Sequence, residues 1–327
     1  MSAQVVVKSV ILNAPLDEGI PGPEHFTIEE KPFSIEENTA NLQNGQVLVA
    51  LKAISADPYL RGWIKSTGMT KARGVMRGYV VGKILASKNP DWEEGDIIGS
   101  NLPFVTYQVL NAEQVGKGAA WKLTGLIDDS KITYGIGILG MPGSTAYGGL
   151  TDILEPKAGE TIFVSAASGA VGGLVGMIAK HVYGCKVIGS CGGPEKCELI
   201  KNYYGYDHAI DYKTVKTKEE LIAQLKAVAP EGIDMYFENV GGIHFEAALA
   251  CLRPFGRIAV CGWISEYNNR VMAPIPLAPF GMIYNQYRIE GFICARWLHG
   301  QKGNFLKDMS QWLGEGKVKV QETFFDG

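Results

Sequence analysis

The stretch Thr161-Ile-Phe-Val-Ser-Ala-Ala-Ser-Gly-Ala-Val-Gly-Gly173 limits what this chain can fold into more than any other. Thr161 to Val164 is β-branched and aromatic, as a buried strand requires. A tight Gly/Ala turn follows. Then Val171, Leu174, Val175, Ile178, Ala179 and Val182 recur at three-and-four spacing, which makes one apolar helix face, closed by Gly184. A second strand, Cys185-Lys-Val-Ile-Gly189, comes directly after. In this βαβ setting Ala167-x-Gly169-x-x-Gly172 reads as a dinucleotide fingerprint with Ala in place of the first Gly. Gly169 would let the backbone approach a pyrophosphate. Gly172 would let the helix pack closely on the sheet, with the anion at the helix N-terminus. The bland alternative is a crossover whose glycines only relieve packing. With 41 glycines in the chain, spacing alone does not decide between them; the strand-turn-helix-strand order favours the nucleotide site.

A length of 327 residues suggests about two domains. The net charge of −3 leaves no basic footprint for nucleic acid. No apolar run approaches the ~18 residues a membrane span needs. Met1-Ser-Ala-Gln-Val-Val-Val-Lys8 lacks a basic stretch followed by an apolar signal core, which predicts a cytoplasmic protein. The cysteines are Cys185, Cys191, Cys197, Cys251, Cys261 and Cys294, without C-x-x-C spacing, and read as buried free thiols. The five histidines form no i, i+4 pair, so no metal site is expected.

Residues 1–125 alternate short strands with Gly, Pro and Asn turns. Val5–Leu12, Val47–Ile54, Gly78–Leu85 and Gly95–Gly99 are the clearest strands, and together they predict a small, mostly β, barrel-like domain. From about Leu126 the texture changes. Ile136 to Ile153 looks partly helical, interrupted at Met141-Pro-Gly143. Further strands are expected at Val187–Cys191, His208–Tyr212, Ile233–Glu238, Arg257–Cys261 and Arg288–Cys294, with helices between them. Six strands with crossover helices predict an α/β doubly wound sheet. A last helix, about Gly303 to Leu313, is expected to lead back to the first domain. That gives a barrel of 1–125 with 299–327, and a dinucleotide domain of 126–298.

An NAD site usually offers an acid at the end of its second strand for the ribose 2′-hydroxyl. Here that position reads Gly189-Ser190-Cys191, and Lys196 follows Glu195. Small residues leave room for a 2′-phosphate and a lysine supplies charge for it. Tyr212 and Lys213 close the third strand nearby. NADPH is therefore expected over NADH, unless Lys196 is only a solvated surface lysine.

Several ordered motifs carry a resemblance that spans nearly the whole chain. They are Asp57-Pro-Tyr-Leu-Arg61, Leu139-Gly-Met-Pro-Gly143 with Thr145-Ala-Tyr147, Ala166-Ala-Ser-Gly-Ala-Val-Gly172, Phe237-Glu-Asn-Val-Gly-Gly242, Phe255-Gly-Arg-Ile-Ala-Val-Cys-Gly262 and Ile264-Ser-Glu-Tyr-Asn268. With them the chain resembles the zinc-independent medium-chain dehydrogenase/reductases, more closely the prostaglandin and leukotriene reductases and the plant alkenal double-bond reductases. The resemblance implies a GroES-like β-barrel catalytic domain and a Rossmann domain. Zinc-dependent members carry Gly-His-Glu-x-x-Gly-x-Val; the matching segment here is Arg77-Gly-Tyr-Val-Val-Gly-Lys-Ile84, with Gly78 at the ligand histidine's place, and no cysteine precedes Cys185. Without ligands there is no Lewis acid, which argues against zinc-based alcohol oxidation. By resemblance, Gly169, Ala170 and Val171 would face the pyrophosphate and Lys196 and Tyr212 the 2′-phosphate. Met141, Thr145, Asn239, Cys261, Phe292 and Cys294 would line the cofactor channel, partly through backbone atoms. Tyr59, Tyr79 and Tyr267 would border the substrate pocket. Family chains run on past Gly327 through a closing strand, whose contacts this sequence leaves unassigned.

The implied reaction is NADPH-dependent reduction of an activated C=C bond in an enal or enone. A phenol, Tyr267 or Tyr79, would hydrogen-bond the oxygen that gathers charge. Tyr267 follows the fifth strand of the dinucleotide domain and Tyr79 lies in the barrel, so the two are expected to reach a cleft from opposite domains. The rivals are a quinone reductase of the same superfamily and an NADPH-binding protein without turnover. The expected partners are a small-molecule acceptor and a second copy in a homodimer, with neither nucleic acid nor membrane. Loops Trp63–Arg73 and Asn269–Ile283 would set pocket size.

Overall fold

The computed structural model describes residues 4–275 and 277–326. Pro276, inside the second expected pocket loop, and Gly327 lie outside the described residues. The chain divides into two units: residues up to Met141 together with Tyr267–Arg270, and Pro142–Glu266 together with the chain from Val271 onward.

The first unit is antiparallel β. Strands β1 (Gln4–Leu12) and β2 (Phe26–Ser34) pair along their full length, from Gln4 opposite Ser34 to Leu12 opposite Phe26. Strands β3 (Val47–Ile54), β4 (Arg77–Ser87), β5 (Ile97–Pro103), β6 (Tyr107–Leu110) and β7 (Ala120–Lys122) form a five-stranded sheet in the order β6-β3-β4-β5-β7. Single bridges from Ser9 to Val105 and from Ile11 to Val75 tie β1 alongside. The core includes Leu12, Val49, Val80, Ile84, Ile98 and Phe104. Three strands escaped the sequence reading. β2, FTIEEKPFS, has a mostly polar, half-exposed pattern, and β6 and β7 are too short to show alternation.

The second unit holds β8 (Thr161–Val164), β9 (Lys186–Cys191), β10 (His208–Asp211), β11 (Ile233–Glu238), β12 (Leu252–Val260) and β13 (Arg288–Gly291). They form one parallel sheet in the order β10-β9-β8-β11-β12-β13. Numbered within the unit, that is 3-2-1-4-5-6, the doubly wound order, whose direction reverses between β8 and β11. Burial on both faces explains the nearly unbroken apolar runs of β8, β9 and β11.

The structure changes several sequence expectations. Met141-Pro-Gly143 opens a helix, Met141–Gly148, instead of interrupting one. Proline is tolerated in a first turn because the N–H it lacks has no helical acceptor there. One π turn, Gly149–Leu154, continues it and ends at Glu155 in the left-handed region (φ 48°). β12 starts at Leu252, five residues before the expected Arg257, and β13 ends at Gly291. Residues 299–326, expected with the barrel, belong to the second unit. The reason is the buried side of the Phe305–Gly314 helix. Phe305 and Trp312 pack on the Tyr147 ring, whose hydroxyl donates to Asp308 at 2.7 Å. Farther on, the Tyr203 hydroxyl donates to the Val320 carbonyl.

Candidate active site

The turn after β8 is built to leave a helix end open. Ala166 takes φ 50°, and the Gly169 N–H closes back on the Ala166 carbonyl at 3.0 Å. The helix Ala170–His181 starts with Gly169 as its N-cap, and no side chain caps it. Gly169 and Ala170 are exposed and Val171 is half-buried. The first-turn N–H groups of Ala170, Val171 and Gly172 are the donors a helix leaves for an anion. Gly172 is buried, and a Cβ there would lie 2.4 Å from the Ala166 carbonyl and 2.8 Å from the Ala167 Cα. It is the close-packing glycine that the fingerprint requires. This open turn stands at the carboxyl end of β8, beside the switch point, and a pyrophosphate fits it.

At the end of β9, Gly189 has a packing role. A Cβ there would come within 2.7 Å of Tyr206, Ala167 and Ile200, and the residue is buried. Ser190 next to it is fully buried, with Oγ 2.8 Å from His244 Nε2. Burial pushes the His244 imidazole down to about 4, so it is neutral at physiological pH. Lys196 is exposed in the first turn of the Pro194–Asn202 helix and takes part in no ion pair among the described residues. The Tyr212 ring, 44% exposed, stands edge-on to His244 at 5.9 Å and lies against Gly192. The acid of this region, Asp211, is committed to backbone: its Oδ1 accepts from Gly193 N–H at 2.8 Å and Lys213 N–H at 3.0 Å. The segment after β9 thus offers a small residue at Ser190 and an exposed cation at Lys196, and the end of β10 a phenol at Tyr212, a set suited to a phosphate and not to a diol.

The end of β11 carries a buried polar network that sequence reasoning missed. Ser165 Oγ accepts from the Tyr236 hydroxyl at 3.0 Å and from the Asn239 N–H at 2.9 Å, while Asn239 Nδ2 donates to the Ser165 carbonyl at 2.7 Å. Glu238 is fully buried, and its Oε1 accepts from the N–H groups of Val240 and Gly241 at 2.5 and 2.9 Å and from the Ser165 hydroxyl at 3.2 Å. Burial raises its carboxyl above the usual range, against the pull of those two N–H groups. The available signal was a lone acid between an apolar strand and Asn-Val-Gly-Gly. Backbone bonds from Ile264 to Asn239 and from Ser265 to Val240 tie this turn to the loop after β12.

The other expected channel residues occupy different settings. Cys261 follows β12, and its N–H donates to the Glu238 carbonyl at 2.9 Å. Burial pushes its thiol up to about 12, so it presents a thiol and not a thiolate. Phe292 packs edge-on to Phe237 and Trp297, so its ring serves the core. Cys294 is buried at the start of the Ala295–Leu298 turn. Met141 is half-buried and Thr145 buried, both on the Met141–Gly148 helix.

The three tyrosines all belong to the first unit. Tyr59 and Tyr79 meet edge-on at 6.1 Å; Tyr59 also meets Trp63 at 5.0 Å, and Tyr79 meets Trp121 at 6.1 Å. Gly78 directly precedes Tyr79. A Cβ there would be 2.8 Å from the Phe104 ring and 3.2 Å from the Tyr59 hydroxyl, so no histidine side chain fits unless both rings move. Among the described residues, no group of His, Cys, Asp and Glu side chains could hold a metal. Tyr267 corrects the expected opposite-domain placement, because Tyr267–Arg270 joins the first unit. Buried Arg61 holds this loop: its Nε donates to Asn268 Oδ1 at 3.0 Å and to the Gly19 carbonyl at 3.1 Å. The Asn268 carbonyl accepts from Gly19 N–H, and Lys65 Nζ donates to the Asn269 carbonyl. Four residues before Arg61, burial raises the Asp57 carboxyl to about 6.

Comparison with known proteins agrees with both halves of this description. Residues 8–117 match the family model of the N-terminal domain of oxidoreductases, and residues 170–312 match that of the zinc-binding dehydrogenases. Prostaglandin reductase 1 of Mus musculus is 40% identical over 311 residues, 95% of this chain and 89% of the relative. The NADP(+)-dependent 2-alkenal reductase of Nicotiana tabacum is 38% identical over 334 residues, 100% of this chain and 92% of the relative. CurA from Vibrio vulnificus superposes with a TM-score of 0.81 at 32% identity, covering 97% of this chain and 90% of that one; a second structure of CurA is a complex with NADPH. The chain belongs to the medium-chain dehydrogenase/reductase family, in its prostaglandin and alkenal reductase branch.

Proposed function

We propose that this protein reduces the C=C bond of α,β-unsaturated aldehydes and ketones with NADPH. The observation that carries the cofactor is the end of β9, where Ser190 replaces an acid and Lys196 stands exposed and unpaired. The reaction class rests on the 38–40% identity to an alkenal reductase and a prostaglandin reductase. When bound, NADPH would supply the hydride for the β-carbon of the acceptor. The N–H groups of Ala170, Val171 and Gly172 would hold its pyrophosphate. Lys196 and Tyr212 would hold its 2′-phosphate, and Asn239, fixed by Ser165, would orient it beside the end of β11. A phenol, Tyr267 or Tyr79, donates to the substrate carbonyl oxygen as it becomes an enolate. A neutral phenol donates without ionising, which suits it to this task at pH 7. The α-carbon then takes a proton from solvent or through a tyrosine relay.

The test is NADPH oxidation with trans-2-alkenals, enones and quinones side by side. Turnover of alkenals and enones is expected; quinone turnover alone, or none, overturns the reading. Tyr267→Phe or Tyr79→Phe should slow single-turnover alkenal reduction by about tenfold or more with NADPH affinity kept, since an oxyanion donor contributes about 2.7–4 kcal/mol and a second donor blunts its loss. Parental rates in both mutants and in the double mutant would reduce these phenols to pocket walls.

Among the described residues, no helix is long and apolar enough to cross a membrane. We place the protein in the cytoplasm as a homodimer. The dimer reading is supported by the outer position of β13 in its sheet and by Phe280, Ile283 and Tyr284 (73, 65 and 79% exposed) on the helix before it. Light scattering after gel filtration checks it; a monomer at micromolar concentration removes it.

A further inference from the structure

Two cysteines flank the proposed phosphate lysine. Cys191 ends β9, and Cys197 lies in the first turn of the Pro194–Asn202 helix. Between them Gly193 takes φ 97° and turns the chain back on itself, which brings the two Sγ atoms to 3.5 Å. A disulfide needs ~2.0 Å, so about 1.5 Å of approach would close the bond. Cys191 is 1% exposed, whereas Cys197 is half-open to solvent.

We propose that Cys191 and Cys197 form a peroxide-driven, reversible disulfide that weakens NADPH binding. The second half of this statement rests on the assignment of Lys196 to the 2′-phosphate. In the first step the Cys197 thiol, the accessible partner, attacks a hydroperoxide oxygen. The O–O bond breaks, the departing hydroxide or alkoxide takes the thiol proton and leaves as water or an alcohol, and Cys197 becomes a sulfenic acid. In the second step the Cys191 sulfur attacks the Cys197 sulfur. The S–S bond forms, the S–O bond breaks, and hydroxide leaves with the Cys191 proton as water. The two sulfurs lose two electrons in all and the peroxide gains two. The order of attack follows from access and charge: burial, with the Cys197 sulfur beside it, pushes the Cys191 thiol up to about 12, so it reacts second.

The consequence for the cofactor follows from what is anchored. The Gly193 N–H is held by Asp211, and Tyr212 lies against Gly192, so the turn itself is braced. Cys191 is fixed within β9, in register with Asp211 of β10, and Gly189 two residues earlier pairs with Val164 of β8. The 1.5 Å approach therefore falls to Cys197, whose side chain and helical first turn adjust directly beside Lys196.

The whole protein is treated with hydrogen peroxide in modest excess, then measured by intact mass, by peptide mapping without reduction, and by titration with NADPH and NADH. Expected are the loss of two hydrogens, a peptide bridged between Cys191 and Cys197, and a rise in the NADPH Kd of about fivefold or more. The NADH Kd should hold, and dithiothreitol should reverse every change. Cys197→Ser and Cys191→Ser should each abolish the bridge, with sulfenic acid trapped by dimedone at Cys197 in the second variant. A sulfenic acid or higher oxide at Cys197 with no bridge in the parent protein overturns the pair. A bridge that leaves the NADPH Kd unchanged overturns the consequence. Lys196→Ala distinguishes the two readings: if it does not weaken NADPH in the reduced protein, the phosphate assignment fails, and the consequence with it, while the mapped bridge is still read on its own.

Discussion

Replacing Glu238 by alanine should destabilise the second unit and loosen the turn that carries Asn239. The alanine removes the acceptor of two backbone N–H groups, Val240 at 2.5 Å and Gly241 at 2.9 Å. A buried donor left without a partner costs about 1–3 kcal/mol, so the pair sums to about 2–6 kcal/mol. Two features pull the figure down. Val240 is only half-buried, so water can reach its N–H, and removing a buried carboxyl relieves its own burial cost. The Ser165 hydroxyl adds little, because it can turn to the Phe237 carbonyl at 3.4 Å. The expected loss is therefore about 2–4 kcal/mol, with weaker NADPH binding. Glutamine keeps an acceptor in the same shape and should stay within about 1 kcal/mol of the parent at neutral pH. The pH dependence has a definite sign. Because burial raises the folded-state pKa above the usual value of 4.5, the folded protein keeps a proton that the unfolded chain has released. This contribution to stability is present below 4.5 and is lost as pH rises through the folded value. Glu238→Gln should remove that slope. Urea unfolding followed by tryptophan fluorescence, at several pH values, reads both effects. An alanine variant as stable as the parent, or a glutamine variant as damaged as the alanine one, would refute the reasoning.

Lys196→Ala should weaken NADPH by roughly ten- to a hundredfold and leave NADH nearly untouched, since a charge-assisted contact contributes about 1.5–3 kcal/mol; equal losses in a binding titration would remove the phosphate assignment. Gly176→Ala should lower the thermal midpoint, because the new Cβ would stand 1.9 Å from the Tyr206 ring, whose hydroxyl donates to the Gly172 carbonyl at 2.7 Å. Overpacking of this kind costs about 1–3 kcal/mol, and an unchanged midpoint would mean that the ring moves freely. For Asp57, raised from 3.8 to about 6, the stability contribution is present below pH 3.8 and is lost as pH climbs to 6. The amplitude is about 3 kcal/mol, so Asp57→Asn should flatten the stability–pH curve between those values; an unaltered curve by chemical unfolding counts against the raised carboxyl.

The second unit was the more legible half in sequence. β11 falls on the residues expected, and β8, with the helix after it, follows directly from β-branched and three-and-four patterns. Buried parallel strands are uniformly apolar and stand out, while the crossover helices between them are amphipathic. The half-exposed strands β2, β6 and β7 carry no such contrast. The final helix was found but was expected with the barrel, whereas it joins the second unit; a buried face does not name its partner. Tyr147 and Asp308, 161 positions apart, settle that in three dimensions.

The candidate site divides the same way. Sequence by itself determined the open glycine turn at Gly169, the missing acid after β9, the lysine that follows it and the vacated histidine position at Gly78, because each is a matter of residue type at a fixed local offset. The tertiary structure alone decided what fills the spaces around them. Phe104 and Tyr59 occupy the volume beside Gly78, and Tyr206 fills that beside Gly189. His244 stands 54 residues from the serine it touches. Arg61 draws the Tyr267 loop into the first unit across 207 positions. Local offsets follow from backbone geometry, which the chain fixes residue by residue. Contacts across such distances depend on how whole elements pack, and that is decided only when the sheet and its helices close on one another.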